Sequence, residues 1–381
     1  MHRPTWAEIN LSALRHNLLE IKKHIGPKVK ILGVVKANAY GHGDYEVSTL
    51  LVKNGVEMLG IALVEEGIRL REKGITSPLL LFGGFFEEQI DAIIRYNLTP
   101  TIYDLKLAEK LANQAHCLGK IVKVHIYVDT GMGGIGVKYD NTFEFTKCLA
   151  EMNNLIIEGI YTHCSSSDDN NPAHTTLQIR KFKNILATID KAGIIIPLKH
   201  MANTGSILRY NDSYFTMARP GLSLYGLYAT DEESHNLPIK PVMSLKTRII
   251  HIKTMEPGET LGYGGSCKIT RSTRVATLPF GYDDGYNRLL SNQGMVLVRG
   301  NKVPVIGRIC MDQCFIDVTS LKNVSVGDEV VVYGRQGKET ISIESVAKQR
   351  KTIPYEITCN VSNRVPRIYI DEDYLSKSMS S

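Results

Sequence analysis

The stretch ILGVVKANAYGHG, residues 31–43, carries the first decisive pattern in the chain. Ile31, Leu32, Val34 and Val35 form an apolar, β-branched run of the kind that makes a buried strand, and the run stops on Lys36. A loop with Asn38, Tyr40, two glycines and His42 follows. A charge at the end of a buried strand is costly unless it is solvated, paired or used chemically. The plain reading is a solvated strand end. The chemical reading is an amine whose pKa is lowered by desolvation so that it condenses with the aldehyde of pyridoxal phosphate, with the loop's hydroxyl and small residues suited to the phosphate.

Outward from this point the texture alternates. Apolar runs recur near 57–63, 78–82, 98–102, 121–128, 155–161, 194–199 and 214–217, with helix-like segments between most of them, the first being LSALRHNLLEIKKH at 11–24. With 31–35 that makes eight strands, which fits a (β/α)8 barrel better than an open doubly wound sheet. After Gly226 the stretch YATDEESHNLPIKP reads as a polar linker. Beyond it VMSLKTRIIHIKTM, TRVATLPFGY, GMVLVRG, FIDVT and DEVVVYG are short β-rich runs between turn residues, a mainly β domain. The expected division is a barrel over 9–236 and a β domain over 237–381 that includes 1–8, ending in a loosely held polar tail at 371–381.

The bulk properties exclude several classes. Charged residues make up 22% and apolar residues 43% of 381, and no apolar run approaches the ~20 residues of a membrane span. The start, MHRPTWAEIN, lacks the pattern of a secretory signal, so the expected location is the cytoplasm. Seven cysteines without a CxxC pair suit reduced thiols and indicate no structural metal. The net charge of +6 is dispersed, and its densest cluster, KQRK at 348–351, is short, so nucleic acid is not expected as a partner.

Barrel enzymes place their chemistry at the C-terminal ends of strands. Lys36, His163, Asn203 and Arg219 all follow predicted strands. Each alone has a bland reading: His163 and His200 as core histidines, Asn203 as a turn former, Arg219 as an ion-pair partner.

VVKANAYGHG closely resembles the cofactor-lysine motif of alanine racemases, and the resemblance runs from WAEINLSALRHNL at 6–18 to RVPRIY at 364–369. The resemblance implies a pyridoxal 5'-phosphate racemase with Lys36 as cofactor lysine and Arg219 of ARPG facing the pyridine nitrogen. It implies phosphate contacts from Tyr40, Thr204, the Gly221 and Leu222 backbone and Tyr355, with Asn203 and His163 also at the cofactor; serine is usual where Thr204 stands. Racemisation needs a base on each face of the α-carbon, and Lys36 and Tyr263 are the implied pair, with His163 and Arg219 supporting Tyr263. A tyrosine of reference pKa ~10 needs such support to act as a base near neutrality. Met311, Tyr282 and Asp312 are implied at the substrate, reaching it from the β domain of the other subunit of a homodimer.

Two positions depart from the family. Gly134 stands where an arginine is usual and Tyr127 where many members have a lysine that holds it. The implied substrate is alanine, for cell-wall precursor supply, with serine or a broader set as the alternative; a barrel decarboxylase or a non-catalytic pyridoxal phosphate carrier are further alternatives.

Overall fold

The first strand of the chain does not belong to the barrel. In the computed structural model, which describes residues 3–228 and 237–371, β1 (Thr5–Asn10) alternates buried and half-buried residues, and the chain then turns into the helix Leu11–Ile25. Asn10 caps that helix by accepting from the Ala13 amide at 2.8 Å, and Leu14, Leu18, Ile21 and Ile25 form its buried stripe.

The barrel strands are β2 (Lys30–Val34), β3 (Met58–Ile61), β4 (Leu79–Leu81), β5 (Thr99–Ile102), β6 (Val122–Asp129), β7 (Leu155–Tyr161), β8 (Leu198–His200) and β9 (Met217–Ala218). Each pairs in parallel with the next, and β9 returns to β2 through Met217–Lys30 and Ala218–Ile31, so the sheet is closed. Helices on the crossovers, among them Asp44–Lys53, Val64–Glu72, Leu105–Cys117 and Ala173–Lys191, cover the outside. Closure leaves the barrel without an edge and buries most strand residues on both faces, which is why their sequences read largely as apolar runs; the starts of β2, β6 and β7, with Lys30, Lys123 and Ile156, stay exposed.

Two expected strands lie elsewhere than the apolar runs suggested. The run at 194–199 yields only Leu198–His200, because Pro197 has no N–H to give a ladder and Ile195 is 89% exposed. The run at 214–217 contributes only Met217–Ala218.

The second sheet is built mainly from the C-terminal part of the chain. Its strands Met243–Arg248, His251–Met255, Thr273–Leu278, Met295–Val298, Asn301–Ile306, Cys314–Asp317 and Glu329–Gln336 pair antiparallel. The single run read at 242–255 is two strands, broken at Ile249 and Ile250. β1 joins this sheet, antiparallel to Met243–Arg248 and parallel to Arg367–Ile370. The linker expected at 228–241 falls largely, and the tail at 371–381 almost wholly, outside the described residues. Among the described residues no helix is long and apolar enough to cross a membrane. All seven cysteines are free thiols.

Candidate active site

Lys36 leaves β2 into an unusual turn. Ala37, Asn38, Ala39 and Tyr40 all have φ between 52° and 54°, one left-handed helical turn without a glycine, where the sequence suggested an ordinary loop. Left-handed backbone costs each L-residue about 1–2 kcal/mol, so the turn persists only because its surroundings hold it. The Ala39 amide donates to Val35 O at 2.8 Å and the Gly43 amide to Asn38 O at 3.0 Å. His42 Nδ1 donates to the carbonyls of Ala39 and Tyr40, both at 3.0 Å, and its ring stacks on Tyr225, whose hydroxyl donates to Val34 O at 2.7 Å. Complete burial pushes His42 down to about 4, so the ring is neutral and its proton is committed to those carbonyls.

The Lys36 amine is pulled in two directions. Burial lowers its pKa, the Glu66 carboxylate and the Cys359 thiol raise it, and Arg219 lowers it again. Arg219 itself is 3% exposed and has no carboxylate partner among the described residues. One terminal nitrogen donates to His200 Nδ1 at 2.9 Å; the other donates to Thr162 O, Met201 O and His163 Nδ1 at 2.8, 2.9 and 3.1 Å. An arginine is always a donor, so each histidine accepts at Nδ1 and carries its proton on Nε2. From His200 the chain of contacts continues inward: Nε2 lies 2.8 Å from His125 Nδ1, and His125 Nε2 faces Glu158 at 3.6 Å, an ion-pair distance rather than a hydrogen bond. Burial, with Arg219 and then Lys36 adding to it, pushes His163 down to about 3. Tyr161 stacks on His200 with ring centroids 4.7 Å apart and lies under the Arg219 guanidinium.

A cradle of hydroxyls and amides lies beside the turn. Thr204 Oγ1 accepts from the Gly221 and Ser223 amides at 3.3 Å and meets Ser223 Oγ at 3.2 Å. A Cβ at Gly221 would stand 2.8 Å from Tyr40 Oη, so the cradle exists because residue 221 is glycine. Tyr40 packs between Tyr225 and Tyr355, at 5.0 and 5.6 Å, and burial keeps its phenol protonated as a donor. Leu222 opens the turn Leu222–Tyr225, whose first amides have no partner within the turn. Asn203 caps the helix Thr204–Arg209, its Oδ1 accepting from the Ser206 amide and from Ser167 Oγ.

The loop holding Gly134 is pinned by Asp129, whose carboxylate accepts from the amides of Gly131, Met132 and Gly133 at 2.9, 2.9 and 3.1 Å. A Cβ at Gly134 meets nothing within 4 Å. Tyr127 is buried and stacked on Tyr161 at 4.8 Å, so an aromatic ring fills the barrel where a lysine is usual.

Tyr263 lies on the turn between the short paired strands Thr260–Leu261 and Cys267–Lys268, while Tyr282 and Met311 lie on neighbouring loops of the second sheet; the three are 69%, 41% and 51% exposed. Asp312 pairs with Arg364, which also holds Asp283. Among the described residues no hydrogen bond or ring contact joins this group to Lys36, His163 or Arg219 within the chain.

Residues 9–229 match the family model of the alanine racemase N-terminal domain and residues 242–369 that of the alanine racemase C-terminal domain. The chain belongs to the alanine racemase family. It is 44% identical to an alanine racemase of Methanococcus maripaludis over 96% of this chain and 99% of the relative, and 45% identical to one of Halothermothrix orenii over 96% and 97%. It superposes on an alanine racemase of Clostridium difficile 630 with a TM-score of 0.94 at 38% identity, covering 98% and 97% of the two chains. A Bacillus anthracis alanine racemase with bound L-Ala-P gives 0.90 at 33% identity, covering 99% of each.

Several residues around Lys36 and Arg219 were invisible in the sequence: Glu66, Ser223, Tyr225, and His125 with Glu158; His200, read there as a core histidine, is fully buried and joins Arg219 to His125. A carboxylate two positions into a predicted helix was the available signal for Glu66, since an acidic side chain there reaches back to the helix start.

Proposed function

We propose that this chain is a pyridoxal phosphate-dependent racemase that interconverts L- and D-alanine, a reading carried above all by Lys36, a desolvated amine at the end of the first barrel strand. The residues fit that cofactor by their chemistry. Lys36 offers an amine to an aldehyde; Tyr40, Thr204, Ser223 and the amides at Leu222 and beyond offer donors to a phosphate dianion, and Tyr355 extends them. Arg219 has both terminal nitrogens engaged, which leaves Nε–H as the donor for a pyridine nitrogen. Pyridoxal phosphate, when bound, supplies an electron sink for an amino acid whose α-proton has been removed.

The protein's part is to move that proton. Lys36 Nζ serves one face of the α-carbon, and its lowered pKa makes it a better base near neutrality. Tyr263, brought by a second copy of the chain, serves the other face. His163 Nε2–H, its proton fixed there by the Arg219 donation to Nδ1, is placed to donate to that phenolate. Arg219 stays a cation and so disfavours a proton on the pyridine nitrogen, which restrains the sink and suppresses transamination. Met311, Tyr282 and Asp312 belong to the same second-copy surface and border the substrate, while Asn203 and His163 border the cofactor.

On this reading residues 9–236 form the catalytic barrel and the remainder, with 1–8, the domain that completes the partner's site in a homodimer. The free thiols suit a cytoplasmic enzyme supplying D-alanine for cell-wall peptide. Gly134 and Tyr127 favour a second reading, a broader range that includes serine, because the cation usually beside the substrate is absent. Incubation with L- and D-isomers of several amino acids in heavy water distinguishes the cases: inversion with α-deuteration of alanine is expected, whereas carbon dioxide release or no exchange would overturn the racemase reading. Borohydride reduction and peptide mapping should place the label on Lys36.

A further inference from the structure

We infer that Glu66 is a positioning residue for Lys36, its carboxylate holding the left-handed turn into which the lysine runs and keeping an anion beside it. The inference rests on Lys36 as the cofactor lysine. Glu66 lies in the first turn of the helix Val64–Glu72 and is 8% exposed. One oxygen accepts from the Ala37 amide at 2.7 Å; the other accepts from the Ala62 and Leu63 amides at 2.8 and 3.3 Å. Reaching back to Leu63 is ordinary helix capping. Reaching across to Ala37 is not, because that amide belongs to the turn after the neighbouring barrel strand and follows Lys36 directly. One carboxylate therefore ties together the ends of β2 and β3 and pins the first residue of a turn whose backbone is strained at four successive positions.

The charge matters as well as the geometry. Among the described residues Glu66 forms no ion pair, so its charge is met by three amides and by the nearby lysine. The groups facing the Lys36 amine are Glu66 from this helix, Cys359 from the helix Pro354–Cys359, Arg219 from the end of β9 and His163 from the end of β7. Burial and Arg219 favour the neutral amine, and the Glu66 carboxylate acts against them. An amine that must give up and take back a proton in each turnover needs that balance.

Glu66→Gln keeps the shape and removes the charge, and its amide can satisfy Ala62 and Leu63 or Ala37 but not all three. The test is acetylation of Lys36 in the full-length chain, stripped of cofactor with hydroxylamine, followed across pH by mass spectrometry. In Glu66→Gln the midpoint of Lys36 reactivity should move to lower pH, while Glu66→Asp, which keeps the charge, should move it less. Ala37→Gly, which relieves the left-handed strain, provides a more tolerant background should Glu66→Gln alone not fold. A folded Glu66→Gln protein whose thermal midpoint falls but whose Lys36 titration is unmoved would reduce Glu66 to a helix cap and overturn the inference. Acetylation requires no catalysis, so that outcome is separate from failure of borohydride labelling at Lys36, which would remove the racemase reading instead.

Discussion

A histidine that accepts from an arginine cannot also carry a proton at that nitrogen, and this fixes the charge state of the site residue by residue. His42 and His163 are pushed down to about 4 and about 3, and burial lowers His125 and His200 as well. A histidine whose folded pKa lies below its unfolded value of ~6.5 leaves the unfolded chain with more bound protons between those two values. Stability from these groups is therefore full above about pH 6.5 and is lost as pH falls toward 4 and 3. For His42 alone the loss approaches about 3 kcal/mol, from ~1.4 kcal/mol per pKa unit. The thermal midpoint should drop steeply from pH 6.5 to 4.5, and His42→Asn, though less stable at pH 7.5, should show a shallower drop; an equal slope would remove His42 as a source. Gly134 makes a second prediction at this scale. Its Cβ position is open and its φ is not left-handed, so Gly134→Arg should fold with an unchanged melting midpoint. By filling that open space the arginine should narrow the range toward alanine, lowering the kcat/KM of larger amino acids relative to alanine by about tenfold or more. Unchanged relative rates would show that residue 134 does not set the range.

Elements decide how those residues meet. β7 carries Gly159 on the same face as Tyr161, and a Cβ there would lie 2.5 Å from the His125 ring. Gly159→Ala should therefore displace His125 and, through His200, loosen the grip on Arg219, at a cost of about 1–3 kcal/mol for overpacking. With pyridoxal phosphate bound as proposed, its release should accelerate too; melting and visible-absorbance measurements on the reconstituted protein read both, and a variant with the wild-type values would show that the pair moves without consequence. None of this pairing was legible in sequence, because His125 and His200 stand 75 positions apart and meet only across a closed barrel. What was legible was local. The apolar runs end at Lys36, His163, Asn203 and Arg219, and closing eight parallel strands brings those ends to one mouth. The turn at Ala37–Tyr40 escaped because no glycine marks its positive φ; neighbours such as Glu66 and Tyr225, not the local sequence, hold it. The strand near 194 was misplaced because three successive isoleucines look buried in sequence although Ile195 faces solvent.

At the scale of the whole molecule the proposed site residues fall into two groups that, among the described residues, share no hydrogen bond or ring contact. The barrel presents Lys36, His163 and Arg219, while Tyr263, Tyr282 and Met311 are exposed on turns and loops of the C-terminal part of the chain, and exposed aromatic and apolar groups are what an interface between copies requires. If each site draws Lys36 from one copy and Tyr263 from the other, a twofold dimer holds two such sites. Lys36→Ala and Tyr263→Phe homodimers then have a defect in both sites. Unfolding and refolding the two variants together in equal amounts makes half the dimers mixed, and each mixed dimer has one site with both bases intact and one with neither. The mixture should regain about one quarter of the wild-type racemisation rate, by counting sites under twofold symmetry. Each variant refolded alone should stay near zero. A mixture that gains nothing while native mass spectrometry resolves the mixed dimers would mean that Lys36 and Tyr263 do not work across the interface, and the second base would have to be sought within the barrel itself.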